Sequence, residues 1–428
     1  MPMRSAVAAI WISAMLVRCV LAFGFHRQDT ARGEVQNIAL TLAFSGRFAD
    51  PYRIPTGPTA HTGPVYPAVN ALIYRMAGDT PLADRLREVL NMGFAATLYA
   101  MLPLLGLRLG LGPRAGRAAG FCGALLPIYY WGELPGAFEN GLSALLLAAA
   151  TLWIAPHIVK AEPVSAGKAW FLGGWAAFLI LTSPTLLPPL LALACLAVWR
   201  AAPPAGILLR ASAAFLVVLA PWTIRNAVEF HRLIPVRSDF GIELAVSNNS
   251  EASPDADANT RTRYVRAHHP FDGVRPALAV KAEGEAAYSA QMLREGLAWI
   301  SGHPLDFARL SGERMAEFWF PASHYLWHAT GVTLVAVLAF AGWVVAWSNA
   351  RPAAWILMAV PLSYSLTFLL IEACIRYTYP IAWSLLLAAG ALTASRLDTG
   401  EGRLSRSMNQ FMLKKYPVFL LAVLPAWA

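Results

Sequence analysis

Long apolar runs recur along the whole chain, separated by short basic connections and by two long polar ones. A run of about 16–22 residues is long enough for one helix to cross a bilayer. Ten such runs predict an all-α, multi-spanning membrane protein; they cover 5–24, 86–108, 116–131, 138–156, 169–184, 185–200, 208–224, 328–348, 354–372 and 379–395. The run over 417–427 is about half a span long, so whether it makes an eleventh helix is left open.

Arg and Lys in the short connections orient these helices, because such residues are retained on the inner side of the membrane. With the N-terminus inside, the two long connections, 25–85 and 225–327, fall outside. We therefore expect one transmembrane domain over 1–400 and a basic inner tail over 401–428 that carries the short apolar segment. The first run is expected to be a retained helix, since Arg18 interrupts it and no small-x-small cleavage site follows.

The composition agrees with a membrane protein and limits the kinds of partner that are expected. Hydrophobic residues make up 57% and charged residues 14% of the 428 residues, and the mean hydropathy is +0.49; about a quarter of a soluble domain is charged. The inner-side bias of Arg and Lys explains most of the net charge of +9, so no nucleic-acid partner is expected. The four cysteines fall in or at the ends of apolar runs and match no metal or redox spacing.

The first outer connection contains a short amphipathic helix with a carboxylate at its start. Apolar residues at 35, 38, 39, 42 and 43 follow helical spacing. About ten residues cannot span a membrane, so this helix should lie along the surface. Glu34 stands in the first turn, where the helix N-terminus favours the ionised carboxylate that a base requires. Glu34 could equally serve helix stability alone, and Asp29 could be a loop or capping residue.

Further along the same connection, a proline-bounded turn holds His61 and Tyr66. Pro64 and Pro67 fix the backbone and are expected to stop helix formation locally, before an amphipathic stretch over 68–76. Such a stiff turn suits one wall of a binding site, and it suits a plain connector as well.

The second outer connection, which begins near Asn226, is expected to form a partly membrane-facing lid. Its polar part, 247–262, is typical of a mobile surface loop. Two helices, 286–300 and 305–319, are separated by a break at His303-Pro304. Connections of this length in compact proteins are usually functional.

Charged residues also stand at the outer ends of predicted spans. Arg85 could extend to lipid headgroups or bind an anionic lipid phosphate. Glu372 and Arg376 are four residues apart at the end of the ninth span. They could form a salt bridge that closes the helix, or they could belong to a site, since charges near membrane depth are costly and tend to be functional.

Taken in order, these segments resemble the GT-C superfamily of membrane glycosyltransferases that use polyprenyl-phosphate sugars. The resemblance is to glycosyltransferase family 39 and its relatives, which include protein O-mannosyltransferases and the bacterial enzymes that add aminoarabinose to lipid A. It covers most of residues 5–395, and the order of the motifs against the spans is more specific than any one motif. The motifs are Glu34-x-x-x-Ile-Ala39 with Gly46, Gly63-Pro-Val-Tyr-Pro67, Asp84-Arg-Leu-Arg-Glu-Val-Leu-Asn91, Pro221-Trp-x-x-Arg-Asn226, His303-Pro304 and Glu372-x-x-x-Arg-Tyr-x-x-Pro380.

The resemblance implies an inverting transfer in which an outer-loop carboxylate accepts the proton of an acceptor hydroxyl. Glu34 is the favoured base because it matches the acidic position before the Ile-Ala helix. Asp29 is the alternative, since the family's paired acidic residues are replaced here by two that are five apart. Arg85, Arg225 and Arg376 are expected to bind the donor phosphate. The expected substrate-binding residues are His61, Tyr66, Asn226 and Glu372.

The resemblance also sets the expected partners. No nucleotide-sugar motif, phosphate-binding glycine loop or metal-ligand spacing is present, which is consistent with an activated lipid donor. No cofactor is expected, with a divalent cation left open, and the acceptor is a glycan, a lipid or a protein. The Ala- and Arg-rich composition indicates a bacterium with a GC-rich genome, hence the inner membrane with the site facing the periplasm.

Two other classes of function fit parts of the sequence. A glycolipid transporter or flippase would also be multi-spanning, but the sequence has no internal repeat and few ionisable residues inside its spans. An inactive membrane scaffold is consistent with the separated acidic residues. A scaffold would tolerate the loss of Glu34, and a transporter would move its substrate without covalent change.

Overall fold

The computed structural model describes residues 2–25, 32–129, 133, 138–322 and 326–398. The regular elements within these ranges are helices, joined by short 3₁₀ turns at Pro184–Leu186, Leu366–Leu369 and Ile375–Ile381. The helices are α1 (Met3–Val20, continued as a π-helix over Leu21–Phe25), α2 (Glu34–Ser45), α3 (Val65–Ala77), α4 (Pro81–Arg108), α5 (Pro113–Leu125), α6 (Asn140–Val159), α7 (Ala166–Thr182), α8 (Leu187–Ala201), α9 (Ala205–Phe230), α10 (Phe240–Ser247), α11 (Ala256–Asn259), α12 (Arg263–His268), α13 (Val274–Glu283), α14 (Glu285–Gly302), α15 (Pro304–Trp319), α16 (Leu326–Asn349), α17 (Arg351–Ser365) and α18 (Ala382–Asp398).

Seven stretches of the described chain are long and apolar enough to cross a membrane, and they coincide with seven of the predicted spans. They are Met3–Gly24, Pro81–Arg108, Asn140–Val159, Pro184–Ala201, Ala205–Phe230, Leu326–Asn349 and Arg351–Leu369. The protein is therefore an all-helical, multi-spanning membrane protein, as the apolar runs predicted.

The other three predicted spans coincide with shorter helices. Helices α5, α7 and α18 contain 13, 17 and 17 residues. Helix α5 ends at Leu125 because Leu126 precedes a proline and adopts extended backbone, with φ −100° and ψ 110°. The predicted inner tail, 401–428, lies outside the described residues, and so does the short run over 417–427.

Small residues bring the membrane helices into close contact. A Cβ atom on Gly342 of α16 would lie 1.9 Å from the carbonyl oxygen of Ala388 in α18. A Cβ atom on Gly116 of α5 would lie 2.5 Å from the carbonyl oxygen of Leu102 in α4. Such close backbone approach is how helices pack in lipid, where apolar surface alone drives no association.

Two polar segments pack against each other at one end of this helical bundle. The first polar segment (32–80) carries α2 and α3, which pack together through Ala39, Ala43 and Tyr74. The second polar segment (231–322) carries α10 to α15. Tyr52 of the first polar segment packs in an apolar cluster with residues of the second, including Ile242. The two segments thus share one small core outside the membrane spans.

The structure confirms the predicted helices at 286–300 and 305–319 and the break between them, since α14 ends at Gly302 and α15 begins at Pro304. It corrects the expectation for Pro64 and Pro67. Pro64 caps α3 and Pro67 lies in its first turn, where a missing backbone N–H costs nothing because it would have no partner in the helix.

The expectation of a surface loop over 247–262 holds only in part, because exposed positions alternate with buried ones. The side chains of Asn248, Asn249 and Asn259 are buried, and each donates hydrogen bonds to backbone carbonyls. Asparagine is common in turns because it bonds to nearby backbone, and the same property lets it satisfy buried carbonyls. Composition alone cannot separate these two uses.

Candidate functional site

The first polar segment places Glu34 in contact with His61. Glu34 is the first residue of α2, as predicted, and its Oε1 lies 2.9 Å from His61 Nε2. The opposite ring nitrogen of His61, Nδ1, is 3.1 Å from the hydroxyl of Tyr52. The His61 side chain is 1% exposed and that of Glu34 is 16% exposed. Tyr52, His61 and Glu34 therefore form a chain of polar contacts that fixes the carboxylate.

The second polar segment contributes a similar arrangement of carboxylates around a histidine. Asp239 precedes α10 and Glu243 lies in its first turn. His269 follows α12; its Nδ1 is 3.0 Å from Asp272 Oδ2 and its Nε2 is 3.9 Å from Glu243 Oε1. All four side chains come from short helices and turns of a segment whose sequence is mainly polar.

The two arrangements meet, and their polar atoms form one acid–histidine cluster, which comprises Glu34, His61, Asp239, Glu243 and His269. Polar atoms of Glu34, His61 and His269 all lie within 4.8 Å of one another, and the same holds for His61, Asp239 and Glu243. The rings of His61 and His269 are 6.3 Å apart between centroids. About 200 residues of sequence separate the two halves of the cluster, so only the folding of the chain brings them together.

Arg237 ties the cluster together. Its Nε donates to the carbonyl oxygen of His61 over 2.9 Å. The other guanidinium nitrogens pair with Glu139, at the start of α6, over 3.5 Å and with Asp239 over 2.5 Å. One side chain thus joins the first polar segment, a membrane helix and the second polar segment.

Glu285 binds the segment of chain that carries His61. This buried carboxylate accepts hydrogen bonds from the backbone N–H of Ala60 over 2.8 Å, and from the hydroxyls of Thr59 and Ser238. A buried carboxylate is stable only when its oxygens are satisfied in this way. Glu285 therefore holds Ala60, which precedes His61, against Ser238, which precedes Asp239.

The electrostatics of the cluster favour an ionised Glu34. Burial acts to raise the pKa of Glu34, but the positive charges of His61, His269 and Arg237 together outweigh it and lower that pKa to about 2. Burial likewise acts to lower the pKa of His61, yet Glu34 raises it to about 9. For His269, burial acts to lower the pKa, but the neighbouring carboxylates of Asp272, Glu243 and Glu34 outweigh it and hold the pKa well above the usual value. Carboxylate and imidazolium stabilise each other here.

Glu372 lies at the edge of the cluster and has different properties. It accepts a hydrogen bond from the side-chain amide of Asn259, and its backbone N–H donates to Ser247 Oγ over 3.0 Å. Burial raises the pKa of Glu372 to about 8, and the negative charge of Glu243 acts in the same direction. Of the two alternatives for Glu372 and Arg376, the salt bridge is not found among the described residues, and Glu372 makes these contacts to the second polar segment instead.

Arg376 is a half-buried guanidinium that stacks on aromatic rings. It lies over Phe138 at 4.2 Å and over Tyr377 at 5.2 Å. Within the described part of the chain, its buried Nε has no hydrogen-bond partner. A buried positive group with a spare donor is a candidate for binding an anion.

The other two predicted phosphate ligands have contacts of their own. Arg85 pairs with Glu88 over 2.8 Å. Arg225 donates to the carbonyl oxygens of Thr59 and Phe48 over 2.7 and 2.9 Å, and so supports the first polar segment. The structure does not bring the three arginines onto shared partners, and a common phosphate site for all three stays a prediction.

Tyr66 and Asn226 also make structural contacts. The Tyr66 hydroxyl is hydrogen bonded to the side chain of Asn91, and Asn226 donates to the carbonyl oxygen of Ile234 over 3.0 Å. Direct contact of either with a substrate stays a prediction. The alternative base, Asp29, lies outside the described residues.

The partners of Glu34 from the second polar segment could not be predicted from the sequence. Asp239 and Glu243 are four residues apart at the start of a helix, and His269 belongs to a His268-His269 pair. The acidic pair and the histidine pair are each weak signals of a site. The sequence gives no indication that the first and second polar segments meet.

Fold and site together define a multi-spanning, helical membrane protein with an acid–histidine cluster beside its helical bundle. Among solved structures, the chain is similar to the archaeal oligosaccharyltransferase AglB from Archaeoglobus fulgidus in complex with an inhibitory peptide and a dolichol-phosphate, with TM-score 0.52, 15% identity, and coverage of 97% of this chain and 55% of that one. It is also similar to the A. fulgidus oligosaccharyltransferase in complex with Zn and sulfate, with TM-score 0.52, 13% identity, and coverage of 96% of this chain and 52% of that one. A third similar structure is the A. fulgidus oligosaccharyltransferase tethered to an acceptor peptide containing the NVT sequon. Its TM-score is 0.54 and its identity 13%, with coverage of 97% of this chain and 54% of that one.

At this level of identity the likeness establishes the fold, and that fold is the one the sequence resemblance predicted. The chain spans about half the length of these oligosaccharyltransferases. No protein-family model and no curated protein matches the sequence.

Proposed function

We propose that the protein is a membrane glycosyltransferase that moves a sugar from a polyprenyl-phosphate donor to an acceptor at the outer face of the membrane. The observation that carries the proposal is the convergence of Glu34 and His61 with Glu243 and His269 beside a GT-C helical bundle. Similar solved structures hold a dolichol-phosphate and an acceptor peptide, which supports a lipid-linked donor and a separate acceptor.

In the proposed reaction, Glu34 is the base. The acceptor hydroxyl oxygen forms a bond to the anomeric carbon while the bond from that carbon to the phosphate oxygen breaks, with inversion. The acceptor proton passes to Glu34, and the electron pair of the broken bond leaves with the lipid phosphate. Because His61, His269 and Arg237 lower the pKa of Glu34 to about 2, Glu34 is a weak base, and we expect a contribution of about 10²-fold, the low end for general bases.

His61 and Arg237 are the proposed positioning residues. His61 was expected to contact substrate, but its two ring nitrogens face Glu34 and Tyr52, so we assign it to orienting the base. Arg237 holds the backbone of His61 and the carboxylate of Asp239 in one frame. Such support matters because displacement of a reacting group by about 1 Å can cost about 100-fold in rate.

Arg376 is the proposed ligand of the leaving phosphate. Its guanidinium is half-buried, rests on two aromatic rings and has a spare Nε–H in the described part of the chain. A fixed positive group that meets developing negative charge lowers the barrier without reorganising. Arg85 and Arg225 are less suited, because one nitrogen of Arg85 already pairs with Glu88 and two nitrogens of Arg225 donate to backbone carbonyls.

A divalent cation also fits the acid–histidine cluster. Glu34 Oε1 and His269 Nδ1 are buried without a hydrogen-bond partner among the described residues, and the cluster supplies imidazole and carboxylate ligands. One similar solved structure contains Zn and sulfate. Residues Glu34, His61 and His269 would hold the ion, which would supply positive charge close to the reacting groups.

The proposal is tested by transfer from defined lipids. Purified full-length protein in liposomes is given radiolabelled undecaprenyl-phosphate mannose, glucose or aminoarabinose, with a bacterial envelope extract as acceptor. We expect label to leave the lipid-phosphate fraction and appear covalently in a product for at least one donor. Label that crosses the bilayer while still attached to its lipid would instead indicate a transporter. Localisation in a bacterial inner membrane, with the site facing the periplasm, belongs to the same proposal.

A further inference from the structure

A small polar cavity lies at the end of the helical bundle that is opposite the acid–histidine cluster. Helix α6 begins after Glu139, which pairs with Arg237 of the cluster's frame, and ends at Val159 on the other side of the membrane. The cavity there has a volume of about 250 Å³ and is formed by α4, α6 and the connection into α7. The polar side chains that line it are Arg108, Trp153, His157, Glu162, Ser165 and Lys168.

Two positive charges meet at this cavity from separate helices. Arg108 lies in the last turn of α4 and is exposed, whereas Lys168 lies in the first turn of α7 and is half-buried, with Nζ 5.6 Å from the centre of the Phe171 ring. Among the described residues neither cation is paired with a carboxylate, since the acidic residue of the cavity, Glu162, pairs with Lys160 at 3.8 Å. Like charges held together without a counter-ion repel each other, so the cavity favours an anion.

The start of α7 adds positive potential from the backbone. Ser165 caps this 17-residue helix and accepts a hydrogen bond from the backbone N–H of Lys168 over 3.3 Å. The first N–H groups of a helix have no partner inside it and carry partial positive charge, which favours an anion beside them. On the opposite wall, His157 Nδ1 donates to the carbonyl oxygen of Glu162 over 2.8 Å and fixes the connection between α6 and α7.

Apolar surface continues from the cavity toward the centre of the membrane. Leu104 is one helical turn nearer the centre than Arg108, and Phe171 is one turn nearer than Lys168; they are 38% and 41% exposed. Trp153 packs edge-on against Phe171, with ring centroids 4.6 Å apart, and tryptophan is typical of the boundary between headgroups and acyl chains. A ligand with an anionic head and apolar tails matches both surfaces, whereas a free phosphate matches the cavity alone.

We propose that this cavity binds the headgroup of an anionic phospholipid in the leaflet opposite the acid–histidine cluster. Arg108, Lys168 and the start of α7 bind the phosphodiester oxygens, and the acyl chains lie along Leu104 and Phe171. Basic pockets between membrane helices bind anionic lipid headgroups in this way. The lipid joins α4, α6 and α7 at one end of the bundle. The inference is independent of the proposed function, because binding is measured without transfer.

The test is native mass spectrometry of the full-length protein, delipidated in detergent and titrated with phosphatidylglycerol. One basic residue beside an anionic headgroup contributes a factor of about five in affinity. Arg108→Gln and Lys168→Gln should therefore each weaken binding about fivefold, and the double variant about 25-fold. Phosphatidylcholine, whose phosphate is balanced by its own cation, should bind more weakly to the wild type and be unaffected by the double variant.

Arg210→Gln is the matched control. Arg210 is exposed near the start of α9, on the same side of the membrane, and donates to the carbonyl oxygen of Gly206 in its own helix. It does not line the cavity, so its loss should leave phosphatidylglycerol binding as in the wild type. Equal binding by the wild type and the double variant, or an equal loss in Arg210→Gln and Arg108→Gln, would overturn the inference.

A competition experiment separates the lipid from a soluble phosphate. Glycerol 1-phosphate at millimolar concentration should not displace phosphatidylglycerol, because it lacks the acyl chains. Complete displacement would overturn the lipid assignment in favour of a soluble phosphate ester.

Photo-crosslinking tests the same site if the double variant does not fold. Phosphatidylglycerol with a diazirine beside its headgroup, mixed into liposomes with the wild type, should label the peptide over 153–168. Label spread evenly over the membrane-facing helices would contradict a defined headgroup site.

Discussion

Replacing Arg237 is the sharpest structural test of how the site is held. Arg237→Met keeps much of the side-chain volume but removes a charge that contacts His61, Glu139 and Asp239. Two carboxylates would then stay in a partly buried site without their positive partner. Removing one member of a buried charge pair costs about 3–5 kcal/mol. We expect the lower end, about 3 kcal/mol, because the side chain is 21% exposed.

The assay combines protease resistance with transfer kinetics. Because Arg237 joins the two polar segments to a membrane helix, its loss should increase cleavage within 32–80 and 231–322 while the membrane spans stay folded. Transfer should fall by about 100-fold, the cost of displacing a catalytic group by about 1 Å. Arg237→Lys should be intermediate, since lysine keeps the charge but lacks the planar fork.

Arg232→Met is the matched control. Arg232 belongs to the same segment and is exposed, with one long hydrogen bond of 3.4 Å to the backbone of Ala286, so its loss should change neither readout. If Arg237→Met behaves like Arg232→Met, Arg237 does not hold the site together, and the proposed frame is wrong.

Three other expectations can be measured on the same protein. Arg376→Ala should weaken use of the lipid donor by about 10–100-fold, the value of one charge-assisted hydrogen bond, and Arg376→Lys should rescue it in part; unchanged donor kinetics would remove Arg376 from the phosphate site. Burial raises the pKa of Glu372 from 4.5 to about 8, so unfolding releases a proton between these values, and the contribution of Glu372 to thermal stability should be lost as pH rises toward 8. Glu372→Gln should remove that contribution and leave the fall between pH 6.5 and about 9 that comes from His61, and a pH profile parallel to that of the wild type would contradict the assignment. A reporter fused after Ser253 should be detected outside the membrane and one after Arg351 inside; an inside signal at Ser253 would place the cluster on the wrong face.

Local patterns explain why much of the fold was predictable. Apolar runs long enough to span a bilayer and a 3.6-residue periodicity are properties of short stretches of sequence, so spans and the start of α2 at Glu34 were found without tertiary information. The errors were also local. Pro67 was expected to stop a helix, yet a proline in the first turn is compatible with one.

The site was only half predictable. Glu34 was identified because its position in an amphipathic helix matches a family pattern. Its partners Glu243 and His269 lie about 200 residues away, in a segment whose composition suggested a lid. No spacing rule links residues that a fold brings together, and so His61 was assigned to a wall of the site when its ring contacts Glu34 directly.

The central claim, that Glu34 is the base of a sugar transfer, is tested most directly by single-turnover transfer with Glu34→Gln. Glutamine keeps the shape and some hydrogen bonding of glutamate but cannot accept the proton. We predict normal expression and folding, with transfer reduced about 10²-fold, whereas Asp29→Asn should transfer as the wild type does. Loss of transfer in Asp29→Asn alone would reverse the two roles, and normal transfer in both variants would contradict the account.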